Sequence, residues 1–276
     1  MDMISVSGVG FRYVEDWVLR DISFSVKKRE FLGVIGPNGS GKTTLLKSLN
    51  RTLSLKQGNI SINGVNIKQI KRRELARVMG MVPQEATIVF PFTALEVVLM
   101  GRAPYLGRLG FESEKDYKIA RRAMDMTGTI SFSKREIDTL SGGEKQKVLI
   151  ARAIAQKPEV MLLDEPTSFL DIKHQIEIYD LIKALSLNDG LTIVSVSHDI
   201  NLASQYCDKI LLLNNGRMHK IGSPEEVITR ENIEEVYDCC VLVDKNSMTG
   251  KPRITPLSKK TGNSSATKTR SHKEGI

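Results

Sequence analysis

Eight consecutive residues, Gly36-Pro-Asn-Gly-Ser-Gly-Lys-Thr43, constrain more than any others what this chain can fold into. They match G-x-x-x-x-G-K-[ST], a pattern that works only where a strand leads into the loop and a helix leads out. Both neighbours are present. Phe31-Leu-Gly-Val-Ile is a near-continuous apolar run, as expected for a strand covered on both faces. Thr44-Leu-Leu-Lys-Ser-Leu has helical character. Glycines let such a loop curl so that its N–H groups surround phosphate oxygens, and the positive end of the next helix adds to them. Lys42 supplies a point charge, and the Thr43 hydroxyl can ligate Mg²⁺. The candidate phosphate-binding residues are therefore Gly36, Pro37, Asn38, Gly39, Ser40, Gly41, Lys42, Thr43 and Thr44. A Gly/Ser turn that merely contains a lysine is the bland alternative, and the four specified positions, matched in context, set it aside. The motif identifies a nucleotide-binding chain and nothing narrower.

A second carboxylate-rich motif follows far downstream. Val160-Met-Leu-Leu is an apolar strand that ends in Asp164 and Glu165. An acid at that strand end can hold Mg²⁺ through water, and its neighbour is placed to orient or deprotonate an attacking water. Alone, the pair could simply cap the next helix. With a P-loop upstream, the catalytic reading is the stronger one.

Leu140-Ser-Gly-Gly-Glu144 opens a helix that stops before Pro158. Ser141 and Glu144 form an S-x-x-E capping box, and Gly142 and Gly143 bare the backbone at the helix start, a ready anion site. The segment resembles the LSGGQ signature of ABC ATPases, with glutamate in the last position. That resemblance implies a P-loop α/β fold with a largely parallel core sheet, an antiparallel β subdomain and an inserted α-helical subdomain. It also implies ATP and Mg²⁺ as cofactors and a homodimer in which one copy's signature closes over ATP held by the other copy's P-loop.

Further positions match the family's motifs in order. Tyr13 matches the aromatic that stacks on adenine, and Gln84 the glutamine that senses Mg²⁺ and water and links to the transport subunit. Ser168-Phe-Leu-Asp171 matches the D-loop, although Phe169 replaces a small residue, and His198 matches the histidine that contacts the γ-phosphate. The resemblance thus casts Glu165, His198, Gln84 and Lys42 as catalytic, and Thr43, Gln84 and Asp164 as metal-binding. Tyr13, Ser141, Gly142, Gly143, Glu144 and Asp171 join the P-loop in holding nucleotide. The stretch Phe92-Thr-Ala-Leu-Glu-Val-Val-Leu-Met-Gly-Arg-Ala-Pro-Tyr-Leu-Gly107, with Arg72–Val78, the signature's Glu144 and the Thr249–Pro256 region, resembles ATPases of importers for iron–siderophore, haem and cobalamin. Molybdate and tungstate importers share much of this pattern. Implied partners are a membrane permease dimer and, indirectly, a substrate-binding protein, at the cytoplasmic face of the inner membrane.

The pattern between motifs agrees with such a fold. Ile4–Ser7 and Val18–Val26 read as short strands, and Gly58–Gly64 as another. From about Glu85 the texture turns helical, broken at Pro91, Pro104 and Gly107–Gly110, which suggests a helical lobe over about 85–155. Apolar strands at 160–163, 192–196 and 209–213 alternate with helices near 173–187 and 224–237. Residues 1–257 form the ATPase domain on this reading, and 258–276 a basic tail.

A formal net charge of +8 raises nucleic-acid binding. About half of that excess lies in the tail, through Lys259, Lys260, Lys268, Arg270 and Lys273 against Glu274. The tail's Ser/Thr/Gly/Lys composition reads as disordered, with attraction to a membrane surface its best candidate role. Soluble ABC ATPases that act on nucleic acid or ribosomes usually carry tandem ATPase domains or long insertions, whereas this chain has one P-loop; no nucleic-acid partner is expected. A regulatory module without turnover conflicts with the intact Glu165 and His198. No apolar run approaches the roughly 18 residues that span a bilayer, and Met1-Asp-Met-Ile-Ser has no basic n-region and apolar core, so no secretory signal is expected. Cys207, Cys239 and Cys240 lack metal spacing and read as structural.

Overall fold

The computed structural model describes residues 2–84, 88, 90–107 and 110–258. β1 (Asp2–Arg12) and β2 (Trp17–Lys27) pair antiparallel and are longer than the alternation predicts. The reason is a register shift between Val6 and Val9, where Gly8 adopts φ 56°. One extra residue turns both valines to the core, so the period of two fails although the strand continues. β3 (Phe31–Ile35) is buried throughout and delivers the chain to the glycine loop and α1 (Lys42–Leu49). β4 (Gln57–Ile62) pairs antiparallel with β1, and β5 (Val65–Asn66) completes that sheet.

α2 (Arg72–Val78) and β6 (Met79–Val82) lead to Gln84. α3 (Ala94–Leu99) begins at a Thr93–Glu96 capping box and continues into a 3-10 turn over Met100–Tyr105. Pro104 lies inside that turn instead of breaking the chain. Its carbonyl accepts from Arg73 Nε at 2.8 Å and Arg77 Nε at 3.0 Å. α4 (Glu114–Met126) and α5 (Gly142–Ala155) follow, each with its own capping box. The rest alternates: β7 (Val160–Asp164), α6 (Ile172–Asp189), β8 (Thr192–Val196), α7 (Ile200–Tyr206) and β9 (Lys209–Asn214). β10 (Arg217–Gly222), α8 (Pro224–Val227), α9 (Arg230–Tyr237), β11 (Val241–Lys245) and β12 (Pro252–Pro256) complete it. The helical stretch predicted near 224–237 is thus two helices, split at Ile228 and Thr229.

The central sheet runs β10-β9-β3-β8-β7-β6, parallel except for β10. A second sheet, β2-β1-β4-β5, is antiparallel. Both faces of the central sheet are covered. Phe31, Ile35, Met161 and Leu163 face a core shared with α3–α7, while Leu32, Val34, Val160 and Leu162 face a core shared with the antiparallel sheet and α1. Val97, Ala120, Met124 and Val148 belong to the first core, so the helical segment closes directly on the sheet.

One salt bridge ties that segment together. Arg102, 3% exposed, donates to Asp116 at the head of α4 (2.9 Å) and to the Ala155 carbonyl at the end of α5 (2.7 Å). Of the cysteines only Cys207 has the structural place expected: it lies under Gly33, where a Cβ would come within 2.7 Å of its sulfur. Cys239 is exposed and Cys240 half-buried, on the short turn into β11, so neither fills the core. No helix among the described residues is long and apolar enough to cross a membrane. The tail expected to be disordered lies, from residue 259, outside the described residues.

Candidate phosphate-binding and hydrolytic site

Parallel strands bring their carboxyl ends to one edge, and four motifs leave the sheet there. β3 ends at the glycine loop, β6 two residues before Gln84, β7 on Asp164-Glu165, and β8 two residues before His198. Segments 81 residues apart in sequence therefore touch.

The loop's shape demands its glycines. Gly36 has φ 151°, and a Cβ there would meet the Leu213 carbonyl oxygen at 2.3 Å. Gly41, at φ 98°, occupies the N-cap of α1. Gly36→Ala is expected to destabilise the fold by about 1–3 kcal/mol, and an unchanged urea midpoint would refute the fit. Within the loop Lys42 is buried and donates to the Gly36 and Pro37 carbonyls at 2.8 and 3.0 Å. Burial pulls its pKa down, opposed by the nearby Glu165 and Asp164. Asp164 is pushed up, first by burial, against the Thr43 hydroxyl, which donates to it at 3.0 Å. Each group is thus pushed toward neutrality by the same dehydrated setting.

Glu165 is the hub. Its φ of 51° is a left-handed conformation uncommon outside glycine, fixed by its N–H donating to the Val196 carbonyl at 3.1 Å. One carboxylate oxygen accepts from Gln84 Nε2 at 2.7 Å and from the Ser168 hydroxyl at 2.9 Å. The other meets His198 Nε2. Glu165 and His198 join Asn38, Gly39, Gly41, Lys42, Thr43 and Thr44 around a cavity of about 200 Å³.

The structure brings Gln84 to this site through Glu165 and Asp164 through Thr43, although neither lines the cavity, and Tyr13, Ser141, Gly142, Gly143, Glu144 and Asp171 do not line it either. Gln84 directs its amide nitrogen to Glu165, not to the Thr43–Asp164 pair. Tyr13 is 62% exposed and packs edge-on against Phe11, with centroids 4.9 Å apart. Ser141 and Glu144 complete their capping box: the Glu144 carboxylate accepts from the Ser141 N–H at 2.8 Å and hydroxyl at 2.9 Å. Asp171 caps α6 by accepting from the His174 N–H at 2.9 Å. His174 was not singled out in the sequence. It packs on Gly143 so closely that a Cβ there would come within 2.5 Å of the ring, and Lys147 meets Glu177 one turn along at 2.5 Å. Its only signal was its place three residues after the capping Asp171. Ser168, known only as a motif residue, proves to be a direct donor to Glu165.

A glycine loop after a buried parallel strand, with acids, glutamine and histidine delivered by neighbouring strands, defines a P-loop nucleotide-binding protein. The chain belongs to the ABC transporter family, whose model matches residues 19–168. It is 41% identical over 252 residues to YvrA, an ABC transporter ATP-binding protein of Bacillus subtilis, in an alignment covering 91% of this chain and 57% of that one. The chain likewise spans only 64% of two further relatives. It is 39% identical to the hemin import ATP-binding protein HmuV of Gloeobacter violaceus, covering 92% of this chain and 94% of that protein. An inward-facing ABC transporter described as of metal-chelate type superimposes with a TM-score of 0.84 at 31% identity, over 94% of this chain and 99% of that one.

Proposed function

We propose that the chain is the ATP-hydrolysing subunit of an ABC importer for metal chelates: iron(III)–siderophore, haem or cobalamin. The convergence of Gln84, Ser168 and His198 on Glu165, beside the Lys42 loop, carries the reading. Relatives named for hemin, cobalamin and siderophore import support the cargo class.

In this reading the loop N–H groups and Lys42 hold the ATP phosphates, whose charge favours protonated Lys42. Tyr13 stacks on adenine. Thr43 and Asp164 offer hard oxygen donors, a set that would hold Mg²⁺, and the Gln84 amide oxygen would add a third. Bound there, Mg²⁺ would neutralise charge on the phosphates. Glu165 accepts the proton of the attacking water, and His198 turns its Nε2 to the γ-phosphate.

Ser141, Gly142, Gly143, Glu144 and Asp171 lie outside the phosphate cavity, which suits a role on ATP bound by a second copy. Two chains then sandwich two ATP molecules head to tail. We divide the chain into a domain over 1–257, with the helical segment 85–155 inserted, and a tail over 258–276. The permease dimer would seat in a cavity of about 540 Å³ that Arg72, Met81, Met100, Gly101 and Arg152 help to line, with Met81 three residues before Gln84. On this reading the subunit works at the cytoplasmic face, with a substrate-binding protein acting across the bilayer.

The test is reconstitution with a metal-chelate permease and its binding protein. Phosphate release that needs Mg²⁺, coupled to uptake of one of the three chelates, is the expected result. Uptake of molybdate or tungstate alone would overturn the cargo class, and no phosphate release would overturn the enzyme.

A further inference from the structure

A separate groove opens at the opposite edge of the central sheet. Met161, second residue of β7, lies on its floor, whereas the phosphate site sits beyond the carboxyl end of that strand. Its volume is about 490 Å³, between α4 on one side and the ends of α5 and α6 on the other. Ile119, Met126, Ile154, Leu185 and Leu191 make the rest of the floor apolar. The rim is cationic. Lys115, Lys118 and Arg122 stand along α4, and Lys157 stands across from them. No ion pair joins any of these four to a described residue, and Asp189 is the one acid in the lining. Cations elsewhere on the same helices do find partners, as Lys147 does with Glu177 and Lys183 with Asp208.

The geometry points to a docking groove for an acidic amphipathic helix of a partner protein, distinct from both the phosphate site and the permease surface. Charge complementarity fixes the sign of the occupant, and the layout of the charges fixes its shape. Lys115 and Arg122 are about 10 Å apart along the α4 axis, with Lys157 on the facing wall. Carboxylates flanking an apolar stripe at i, i+3, i+4 and i+7 would meet cations on both sides at once. An anionic lipid carries its charge at one end and would leave most of the row unmatched. Residues 259–276 hold five Lys/Arg against one Glu, the wrong sign to lie here. A second copy meeting groove to groove would oppose cation to cation.

The test uses the full chain and a fluorescein-labelled peptide with leucines in that spacing, flanked by glutamates, followed by anisotropy. We expect binding in the micromolar range that weakens as salt is raised. The Lys118→Glu/Arg122→Glu double variant should weaken it about tenfold or more, with phosphate release unchanged. Both residues are exposed, so the variant should keep its fold, and circular dichroism checks this. A lysine-flanked peptide should fail to bind. Equal affinity for the lysine-flanked peptide, insensitivity to the charge reversal, or no binding of the acidic peptide at about 1 mM would each overturn the proposal. So would stronger binding of oleate or phosphatidylglycerol vesicles, in favour of a lipid.

Discussion

Glu165→Gln is expected to lower steady-state ATP hydrolysis by at least about a hundredfold, the lower range for loss of a general base, while leaving nucleotide affinity nearly unchanged. Glutamine fills the same space and its oxygen can still accept from Ser168, so the shape of the site survives. What disappears is the carboxylate proposed to take a proton from water. On the same reading, binding rests on the loop and Lys42, which do not need the charge of residue 165 to hold phosphate. The variant should therefore accumulate as an ATP-bound dimer, visible by size exclusion with ATP present. Phosphate release within about threefold of the parent would remove Glu165 from its role.

Arg102→Met is expected to destabilise the protein by about 3–5 kcal/mol, because it strands a buried carboxylate. Asp116 is buried and its pKa is held down to about 2, first by the Ser113 hydroxyl and backbone N–H against the opposing pull of burial, then by Arg102. A carboxyl whose folded pKa is depressed adds stability above its unfolded value, here 3.8, and loses it as pH falls through about 2. The parent should therefore keep this contribution at neutral pH and shed it between those two values. In the variant, part of the loss is already present at pH 7, together with the orphaned Ala155 carbonyl and the lost stacking on Tyr105, 3.9 Å from the guanidinium carbon. Guanidinium melts at pH 7 measure the deficit, and adding Asp116→Asn should restore part of it. A deficit under about 1 kcal/mol, in the range of an exposed pair, would show that the bridge is not truly desolvated.

Much of this site was legible because its motifs sit at strand ends, and a parallel sheet sends every such end to one edge. Gly36–Thr43, Asp164 and Glu165 could be read in that way, whereas His198 was legible only through the family resemblance. The hydrogen bonds could not. That Gln84 and Ser168 share one oxygen of Glu165 depends on which strands are neighbours, and β6, β7 and β8 are ordered by packing rather than by sequence distance. The strand predicted as Ile4–Ser7 fell short for a local reason, since the Gly8 bulge inverts the alternation that marks a strand. Pro104 misled because a 3-10 turn tolerates a residue that would break an α-helix. Among the cysteines, only burial could separate Cys207 from the exposed Cys239.

The tight approach of His174 to Gly143 has a mechanical consequence. With Lys147 meeting Glu177 one turn further on, the starts of α5 and α6 are pinned at two points, like meshed gear teeth. Moving the start of α5 relative to α6 would therefore have to break the Lys147–Glu177 pair and shift the His174 ring, on the helix that follows Ser168 and its bond to the Glu165 carboxylate.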